Sequence, residues 1–169
     1  MTTPSQAVIV RPATSADLAA VVEFCLLVER QHEAYWSLRW QLKADIRQRY
    51  QSWLEGNVNA AGWLIAVAEP VHEPGVVIGS LVACLQDDIP IYADERYAFI
   101  HDMAVVEAAR RHGVGRQLVQ YAAAWARTQG VRQLRLMAAE PNAPAVRLFQ
   151  SLGFRTTYHE MVLLLPQES

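Results

Sequence analysis

The sequence has little of what binds nucleic acid or crosses a membrane. Its 169 residues carry 15 Lys and Arg against 17 Asp and Glu, a formal net charge of -2. No basic field therefore exists to hold a phosphate backbone, and nucleic acid is not expected as a partner. No apolar run reaches the ~18 residues that a membrane helix needs, so no membrane partner is expected. The length suits one domain, which we expect to span residues 1–169.

Cysteine is also scarce, and the two cysteines do not indicate a disulfide framework. Cys25 and Cys84 each lie inside an apolar run, so buried free thiols are favoured over a disulfide. The histidines have no metal-ligand spacing with either cysteine, and no metal site is expected. The first residues lack the basic and apolar regions of a secretory signal, so the expected location is the cytoplasm.

Hydrophobic residues make up 52% of the chain, and their spacing predicts mixed secondary structure. The pattern predicts strands at 7–13, 63–69, 76–85, 97–105, 133–139 and 158–165, and helices from Leu18 through Leu26 and over 33–54, 113–129 and 144–152. Thr14 and Asp17 form a capping box before the first helix. Gly79 inside the third strand indicates a bulge. Hairpins followed by one strand–helix–strand crossover indicate an α/β fold (α+β mixed).

The segment RRHGVGR at residues 110–116 is the most informative. It follows an apolar strand and opens an amphipathic helix, where free amide groups and the helix dipole favour a phosphate or pyrophosphate. Gly113 and Gly115 remove side chains at that point. A tight strand-to-helix turn with no ligand is the alternative interpretation.

Two other phosphate-binding motifs are excluded at this segment. A dinucleotide fingerprint requires a small residue where this chain has Leu118, and a P-loop requires a Gly-Lys pair. Lys43 is the sole lysine, and it lies in a predicted helix.

Three motifs in order resemble the GCN5-related N-acetyltransferase (GNAT) superfamily, which uses acetyl-CoA. Residues 110–115 match its R-x-x-G-x-G signature. Residues 100–105 (IHDMAV) look like the strand that precedes the signature, and residues 142–154 look like its segment that begins with Asn and ends with Gly-Phe. Residues 8–14 are similar to its opening strand. The resemblance covers nearly the whole chain and is weakest over 31–62 and 86–96.

The resemblance implies a twisted, mostly antiparallel mixed sheet that splays at the signature strand and is flanked by about four helices. It implies that acetyl-CoA lies in the splay. The residues implied for the cofactor are Met103, Ala104 and Val105 for the pantetheine arm, Arg110, Arg111, His112, Gly113, Val114, Gly115 and Arg116 for the pyrophosphate, and Asn142 and Phe149 beside the pantetheine. Asn142 also suits a helix N-cap, which is the alternative role.

Transfer to an amine requires a base, donors for an oxyanion and a leaving thiolate. The resemblance implies that a backbone N–H at a strand bulge near Val105 polarises the thioester. Many members carry a Tyr acid where this chain has Phe149, so another group serves or the thiolate leaves unassisted. His101 is the candidate catalytic base; a histidine bonded to a neighbouring strand is the alternative. Strand alternation predicts that His101 and Asp102 face opposite ways.

The acceptor is expected to be a primary amine on a small molecule or peptide. Asp102, Tyr35 and Trp36 are the candidate substrate-binding residues, and the acidic segment 86–96 would attract a cation. For Asp102 and the acidic segment, structural or solvated roles are the alternatives. Members of the superfamily commonly form dimers, so a homodimer is a further expectation. A non-catalytic acyl-CoA sensor with the same fold is the competing function, because the Tyr position is vacant.

Overall fold

Five strands form one sheet in chain order, as seen in a computed structural model that describes residues 7–165. The strands are β1 (Val8–Pro12), β2 (Trp63–Pro70), β3 (Gly79–Asp87), β4 (Arg96–Val105) and β5 (Leu134–Leu136). The helices are α1 (Leu18–Tyr35), α2 (Ile46–Asn57), α3 (Val114–Thr128) and α4 (Ala143–Ser151). Short 3-10 turns lie at Ser15–Asp17 and Glu107–Ala109. The cytoplasmic location was predicted from the first residues of the chain, and residues 1–6 lie outside the described residues.

The sheet is antiparallel from β1 to β4, and β5 is parallel to β4. A parallel neighbour needs a crossover, which α3 supplies. One face of the sheet packs against α3, around the fully buried Leu81 and Leu118. The other face packs against α1 and α2, around Val82 and Leu54. The predicted α/β fold with a mostly antiparallel mixed sheet and four helices is confirmed.

The start of α1 is tied to the sheet by Arg11 on β1. Its guanidinium donates to both oxygens of Asp17, at 2.8 and 3.0 Å, and to Glu69 on β2 at 3.1 Å. Asp17 also accepts from the backbone N–H and hydroxyl of Thr14, as the predicted capping box requires. The Arg11 hydrogen bonds, with those from Thr14, hold the pKa of Asp17 well below its usual range.

The predicted helix over 33–54 is wrong. α1 continues to Tyr35, and the next helix begins only at Ile46. The last turn of α1 organises the connection between them. Glu33 accepts from the backbone N–H of Leu42 at 2.9 Å, and His32 stacks on Trp40 with ring centroids 5.4 Å apart. These two contacts hold the connection between α1 and α2 against the last turn of α1.

Three strand predictions need correction. Gly79 does not mark a bulge; a Cβ there would lie 3.0 Å from the carbonyl oxygen of Ala104, so glycine permits a close approach of β3 to β4. The strand predicted over 133–139 is shortened to Leu134–Leu136, because its pairing with β4 ends there. Residues 158–165, predicted as a strand, form neither strand nor helix. Both cysteines are buried free thiols, as predicted.

The Arg11 network predicts acid-sensitive stability. Because the folded pKa of Asp17 is lowered, its contribution is present above the unfolded value near 3.9 and is lost as pH falls through the folded value. We expect Asp17→Asn to lower the free energy of unfolding by about 1.5–3 kcal/mol at pH 7, the range for hydrogen bonds to charged groups. Urea unfolding at pH 7 and pH 3 measures it, and the difference from wild type should shrink at pH 3.

The matched control is Asp45→Asn. Asp45 pairs with Arg49 one helical turn away, and their side chains are 51% and 58% exposed. Exposed pairs of this kind contribute little to stability, so we expect a much smaller loss in this variant. Equal losses in the two variants would contradict a structural role for the Arg11 network.

Candidate active site

β4 carries a bulge at His101. Val82 of β3 lies opposite Asp102, but its neighbour Ala83 lies opposite Ile100, so His101 is an extra residue in the ladder. The expected alternation is therefore wrong here, because the bulge turns His101 and Asp102 to the same face, that of α1 and α2. The resemblance implied a bulge near Val105; the register instead continues without interruption from Asp102 to Val105.

Beyond the bulge, β4 and β5 separate. Their pairing runs through three residue pairs and ends at Ile100 opposite Leu136. β4 continues to Val105, so within residues 7–165 its last five residues have a strand neighbour on the β3 side alone. The predicted cofactor residues Met103, Ala104 and Val105 lie on this stretch. We refer to the space between β4 after Ile100 and β5 after Leu136 as the splay.

The backbone of Val105 faces the splay side of β4. Its carbonyl accepts from the Arg110 Nε at 3.1 Å rather than from β3. Since backbone groups of alternate residues point to the same side of a strand, we expect those of Met103 to share this direction. Extended ligands that pair with main chain would find their donors and acceptors there.

The loop between β4 and α3 has an unusual backbone. Arg111 has φ +66, and it is the non-glycine residue with positive φ in the described part of the chain. Gly113, the N-cap of α3, has φ +85. A left-handed conformation costs a non-glycine residue roughly 1–2 kcal/mol, and such strain concentrates at functional segments. Backbone with left-handed residues is one arrangement in which successive amides can bind an anion.

The two glycines of the loop serve different purposes. A Cβ on Gly113 would meet nothing within 4 Å, so glycine is required there by its positive φ. A Cβ on Gly115 would lie 3.1 Å from Leu148 Cδ2 and 3.8 Å from Met103 Cε. Glycine at 115 therefore lets α3 approach both β4 and α4. A tight turn accounts for glycine at position 113 but not at position 115. The close contacts of α3 with Leu148 and Met103 account for Gly115.

Polar groups around the loop suit an anion. Arg110, Arg111 and Arg116 are exposed, and Arg116 donates to the Ser151 hydroxyl at 3.1 Å. The Nδ1 atom of His112 is buried and has no hydrogen-bond partner among the described residues. An orphaned buried nitrogen beside free helix amides is what a bound phosphate oxygen would satisfy. The residues present therefore fit a pyrophosphate.

α4 carries two further predicted residues. The side chain of Asn142 accepts from the backbone N–H of Ala145 at 3.3 Å, so its role as a helix N-cap is confirmed. Phe149 is 8% exposed, and its ring meets Phe154 edge-to-face at 5.6 Å. The position where many family members carry an acid is therefore filled by a packed hydrocarbon ring.

His101 lies in an aromatic cage on the α1 and α2 face. Its ring stacks on Trp63 at 5.8 Å and meets Trp53 and Phe99 edge-to-face, at 5.6 and 5.1 Å. Its Nε2 lies 3.2 Å from the Sγ of Cys84, on the neighbouring strand. Burial lowers the pKa of His101 below 6.5, so the imidazole is neutral at neutral pH. The ring is still exposed at one edge, where it could accept a proton.

Asp102 is enclosed more deeply, at 7% exposure. The Tyr50 hydroxyl donates to Glu29 Oε1 at 3.0 Å and lies 3.5 Å from Asp102 Oδ1. Burial, with the nearby charge of Glu29, raises the pKa of Asp102 to about 7. Sequence reasoning missed both partners. A glutamate directly after the apolar run that ends at Val28 was the available signal for Glu29.

The remaining predicted substrate residues lie apart from Asp102. Tyr35 and Trp36 end α1, with Trp36 39% exposed. The acidic segment between β3 and β4 is largely neutralised by arginines. The ion pairs are Asp87 with Arg96, Asp88 with Arg135 and Asp94 with Arg132. Its attraction for a cation is therefore weaker than composition predicts.

Two further expectations concern metals and membranes. Among residues 7–165, His, Cys, Asp and Glu form no group of three that could hold a metal ion. No helix in the same range is long and apolar enough to cross a bilayer.

A mixed sheet that splays beside the loop leading into α3 is the architecture that the sequence resemblance implied, and the family model agrees with it. The model of the acetyltransferase (GNAT) family matches residues 22–154, and the chain belongs to this family of acetyltransferases. A curated relative is "GCN5-related N-acetyltransferase 6, chloroplastic" of Arabidopsis thaliana, 30% identical over 82 residues. The match covers 48% of this chain and 27% of the plant protein, so the chain spans about a quarter of that relative.

Solved structures share the fold at low sequence identity. A mutant of the BH1408 protein of Bacillus halodurans has a TM-score of 0.78 at 21% identity, covering 94% of this chain and 99% of that one. A predicted acetyltransferase with acetyl-CoA from Clostridium acetobutylicum has 0.72 at 17%, covering 94% and 96%. The aminoglycoside 6'-N-acetyltransferase AAC(6')-Ih of Acinetobacter baumannii has 0.70 at 20%, covering 96% and 99%.

The enclosed carboxyl of Asp102 predicts a pH effect on stability. Because its folded pKa is raised from 3.8 to about 7, the folded state binds more protons than the unfolded state between these values, and stability falls as pH rises through this window. Asp102→Asn removes this loss. We expect its stability relative to wild type to increase between pH 4 and pH 8, as measured by urea unfolding.

The control is Glu29→Gln, which removes the nearby charge but keeps Asp102 buried. Since burial is the larger cause, most of the pH dependence should remain in this variant. A wild-type profile parallel to that of Asp102→Asn across pH 4–8 would contradict the raised pKa.

Proposed function

We propose that this acetyltransferase moves an acetyl group from acetyl-CoA directly to a primary amine of a small molecule or peptide. The observation that carries the proposal is the splay, which leaves the end of β4 without a strand neighbour on its β5 side, ahead of a loop with two residues at positive φ. The solved relative from Clostridium acetobutylicum, described with acetyl-CoA, supports the cofactor. The similarity to an aminoglycoside N-acetyltransferase supports an amine acceptor.

The cofactor would use main chain more than side chains. Met103, Ala104 and Val105 would pair with the pantetheine arm along the free edge of β4. The amides from Arg111 to Arg116, with His112 Nδ1 and the three exposed arginines, would hold the pyrophosphate. Asn142 and Phe149 on α4 would line the pantetheine. When bound, acetyl-CoA supplies a thioester carbonyl for amine attack and a thiolate leaving group.

His101 would act as the base. Its neutral imidazole can take a proton from an ammonium group, directly or through water, to leave a nucleophilic amine. The aromatic cage and Cys84 orient the ring. No acid is required of Phe149, because a thiol has a pKa near 8.5 and its thiolate leaves without a proton.

The bulge places His101 on the α1 and α2 face of the sheet. The acceptor would therefore approach from that face. Tyr35 and Trp36 at the end of α1 would form its wall, and Asp102 would contribute its charge only when ionised, above a pH of about 7. The competing function is an acyl-CoA sensor without turnover. The packed ring at Phe149 is compatible with both functions, because a thiolate can leave without an acid at that position.

Cofactor binding is tested with Gly113→Glu. A carboxylate there would oppose the pyrophosphate, and we expect loss of CoA and acetyl-CoA binding in a folded protein. For wild type at a hundred times Kd, binding adds about 2.7 kcal/mol, which corresponds to a rise in Tm of about 5–10 °C. Thermal unfolding with and without each ligand measures the rise.

Gly75→Glu is the matched control. Gly75 has φ +86 and no neighbour within 4 Å of an added Cβ, so both variants impose the same kind of backbone strain. Its turn between β2 and β3 carries none of the predicted cofactor residues, and the ligand-induced rise should persist. A rise of equal size in Gly113→Glu would overturn the phosphate-loop assignment.

Catalysis by His101 is tested with His101→Ala. Since the base must be neutral, wild-type kcat should rise with pH through a limb below 6.5, where burial places the pKa. We expect the variant to lose this limb and about 10²–10⁴-fold in kcat, the usual worth of a general base. The measurement is thiol release from acetyl-CoA with a panel of primary amines across pH 5–9.

His72→Ala in the turn between β2 and β3 controls for histidine removal. It should leave the pH profile unchanged. If wild type binds CoA but acetylates none of the amines in the panel, the sensor function is favoured. A variant at position 101 that retains the acidic limb would reject His101 as the base.

A further inference from the structure

The two ring nitrogens of His101 have different surroundings. Nε2 lies 3.2 Å from the Sγ of Cys84, a side chain that is only 5% exposed. His101 as a whole is exposed. Because the lone-pair directions of the two nitrogens of an imidazole diverge, a nitrogen that faces a buried sulfur cannot also face a bound amine. Nδ1 is therefore the nitrogen through which the ring can exchange a proton with an acceptor.

The contact with the sulfur is a consequence of the bulge in β4. Strand alternation on β3 places Cys84 on the same face as Val82, which packs against α1 and α2. Cys84 lies opposite Phe99, two residues before His101. As the extra residue in the ladder, His101 turns to that same face, where diagonal neighbours on adjacent strands can touch. The bulge thus brings a thiol and an imidazole together from two strands.

The aromatic neighbours of His101 fix the plane of its ring but not its orientation within that plane. Trp63 stacks on the ring with 12° between the two planes, and Trp53 and Phe99 meet it at 85° and 71°. A half-turn about the bond from Cβ to the ring keeps this plane and exchanges the positions of Nε2 and Cε1. Since a carbon at that position would form no hydrogen bond with Cys84, the sulfur selects one of the two orientations.

The direction of the hydrogen bond follows from the protonation states of the two groups. Burial raises the pKa of the Cys84 thiol and lowers that of His101, so both are neutral near pH 7. Asp102, the next titratable group along β4, has Tyr50 of α2 at 3.5 Å from its Oδ1. The neutral ring carries one proton. A base that acts at Nδ1 must carry it on Nε2, and the sulfur then accepts.

We propose that Cys84 is a positioning residue, whose sulfur accepts the Nε2–H of His101 and holds the ring in the tautomer with a bare Nδ1. In the transfer step an N–H bond of the substrate ammonium breaks, its electron pair stays on the amine nitrogen, and the proton bonds to Nδ1. Both ring nitrogens are then donors, so the N–H···S contact is kept until water removes the proton from Nδ1. This role rests on the proposed function of His101 as the base.

The tautomer is measured in the full chain at pH 8, without acetyl-CoA or amine, by the nitrogen-15 shifts of the His101 ring. Bare and protonated ring nitrogens resonate far apart, and His101→Gln identifies the signals by their loss. We expect wild type in a single tautomer, protonated at Nε2. Cys84→Ala should give intermediate shifts at both nitrogens, as two tautomers exchange. Cys84→Ser should restore the single tautomer, because a hydroxyl oxygen can accept the same N–H.

Cys25→Ala is the matched control. Cys25 is a buried free thiol on α1, 1% exposed, in the core on the same face of the sheet. This variant loses a buried sulfur as Cys84→Ala does, and it should leave the His101 shifts unchanged. Circular dichroism should show every variant folded.

Kinetics test whether the tautomer matters for transfer. With an amine that wild type acetylates, Cys84→Ala should lower kcat about 2–10-fold, the equilibrium factor of one neutral hydrogen bond, and leave the KM for acetyl-CoA unchanged. Cys84→Ser should recover most of the loss. An unchanged kcat in Cys84→Ala would overturn the proposal.

The nitrogen shifts can overturn the proposal without any turnover. Wild type protonated at Nδ1, wild type with two exchanging tautomers, or a Cys84→Ala variant that keeps the single wild-type tautomer would each do so. Failure of the proposed function is a separate result, because His101→Ala would then retain the acidic limb, or no amine would be acetylated, whichever tautomer the shifts report.

Discussion

The structure depends on a single constraint, which is that β4 has strand neighbours on both sides for only its first half. Up to Ile100 it is held between β3 and β5; from His101 onward β5 diverges. A buried strand with free backbone groups is costly unless something pairs with them. Within the chain, Arg110 satisfies the Val105 carbonyl. The rest of this stretch borders the splay with no strand neighbour on its β5 side within residues 7–165.

The bulge at His101 changes which side chains lie on the α1 and α2 face of the sheet. One extra residue brings two polar side chains, His101 and Asp102, to the α1 and α2 face, where simple alternation would place one. Their environments differ. His101 is surrounded by aromatic rings and remains open at one edge, whereas Asp102 is enclosed with Tyr50 and Glu29. Burial shifts the pKa of each group toward its neutral form, which lowers the pKa of His101 and raises that of Asp102 to about 7.

On each face of the sheet, contacts made by a helix hold one part of the candidate site in place. On the α3 face, Gly115 allows α3 to approach Met103 and Leu148 closely, which holds the loop against the end of β4. On the opposite face, the last turn of α1 organises the α1–α2 connection through Glu33 and His32. The acyl donor and the amine would thus meet across one strand, each held by a different helix layer.

The sequence by itself determined the family, the order of the helices and strands through α4, and the loop that precedes α3. These follow from local patterns: apolar periodicity, a capping box at Thr14 and Asp17, and two glycines at a helix start. Tertiary structure alone decided the bulge, the length of β5, the end of α1 at Tyr35 and the partners of Asp102. Each of these depends on residues far apart in the chain, such as Val82 opposite Asp102 or Glu29 near Tyr50. Local spacing reports which face a residue prefers, but only the packed chain decides which neighbour it meets there.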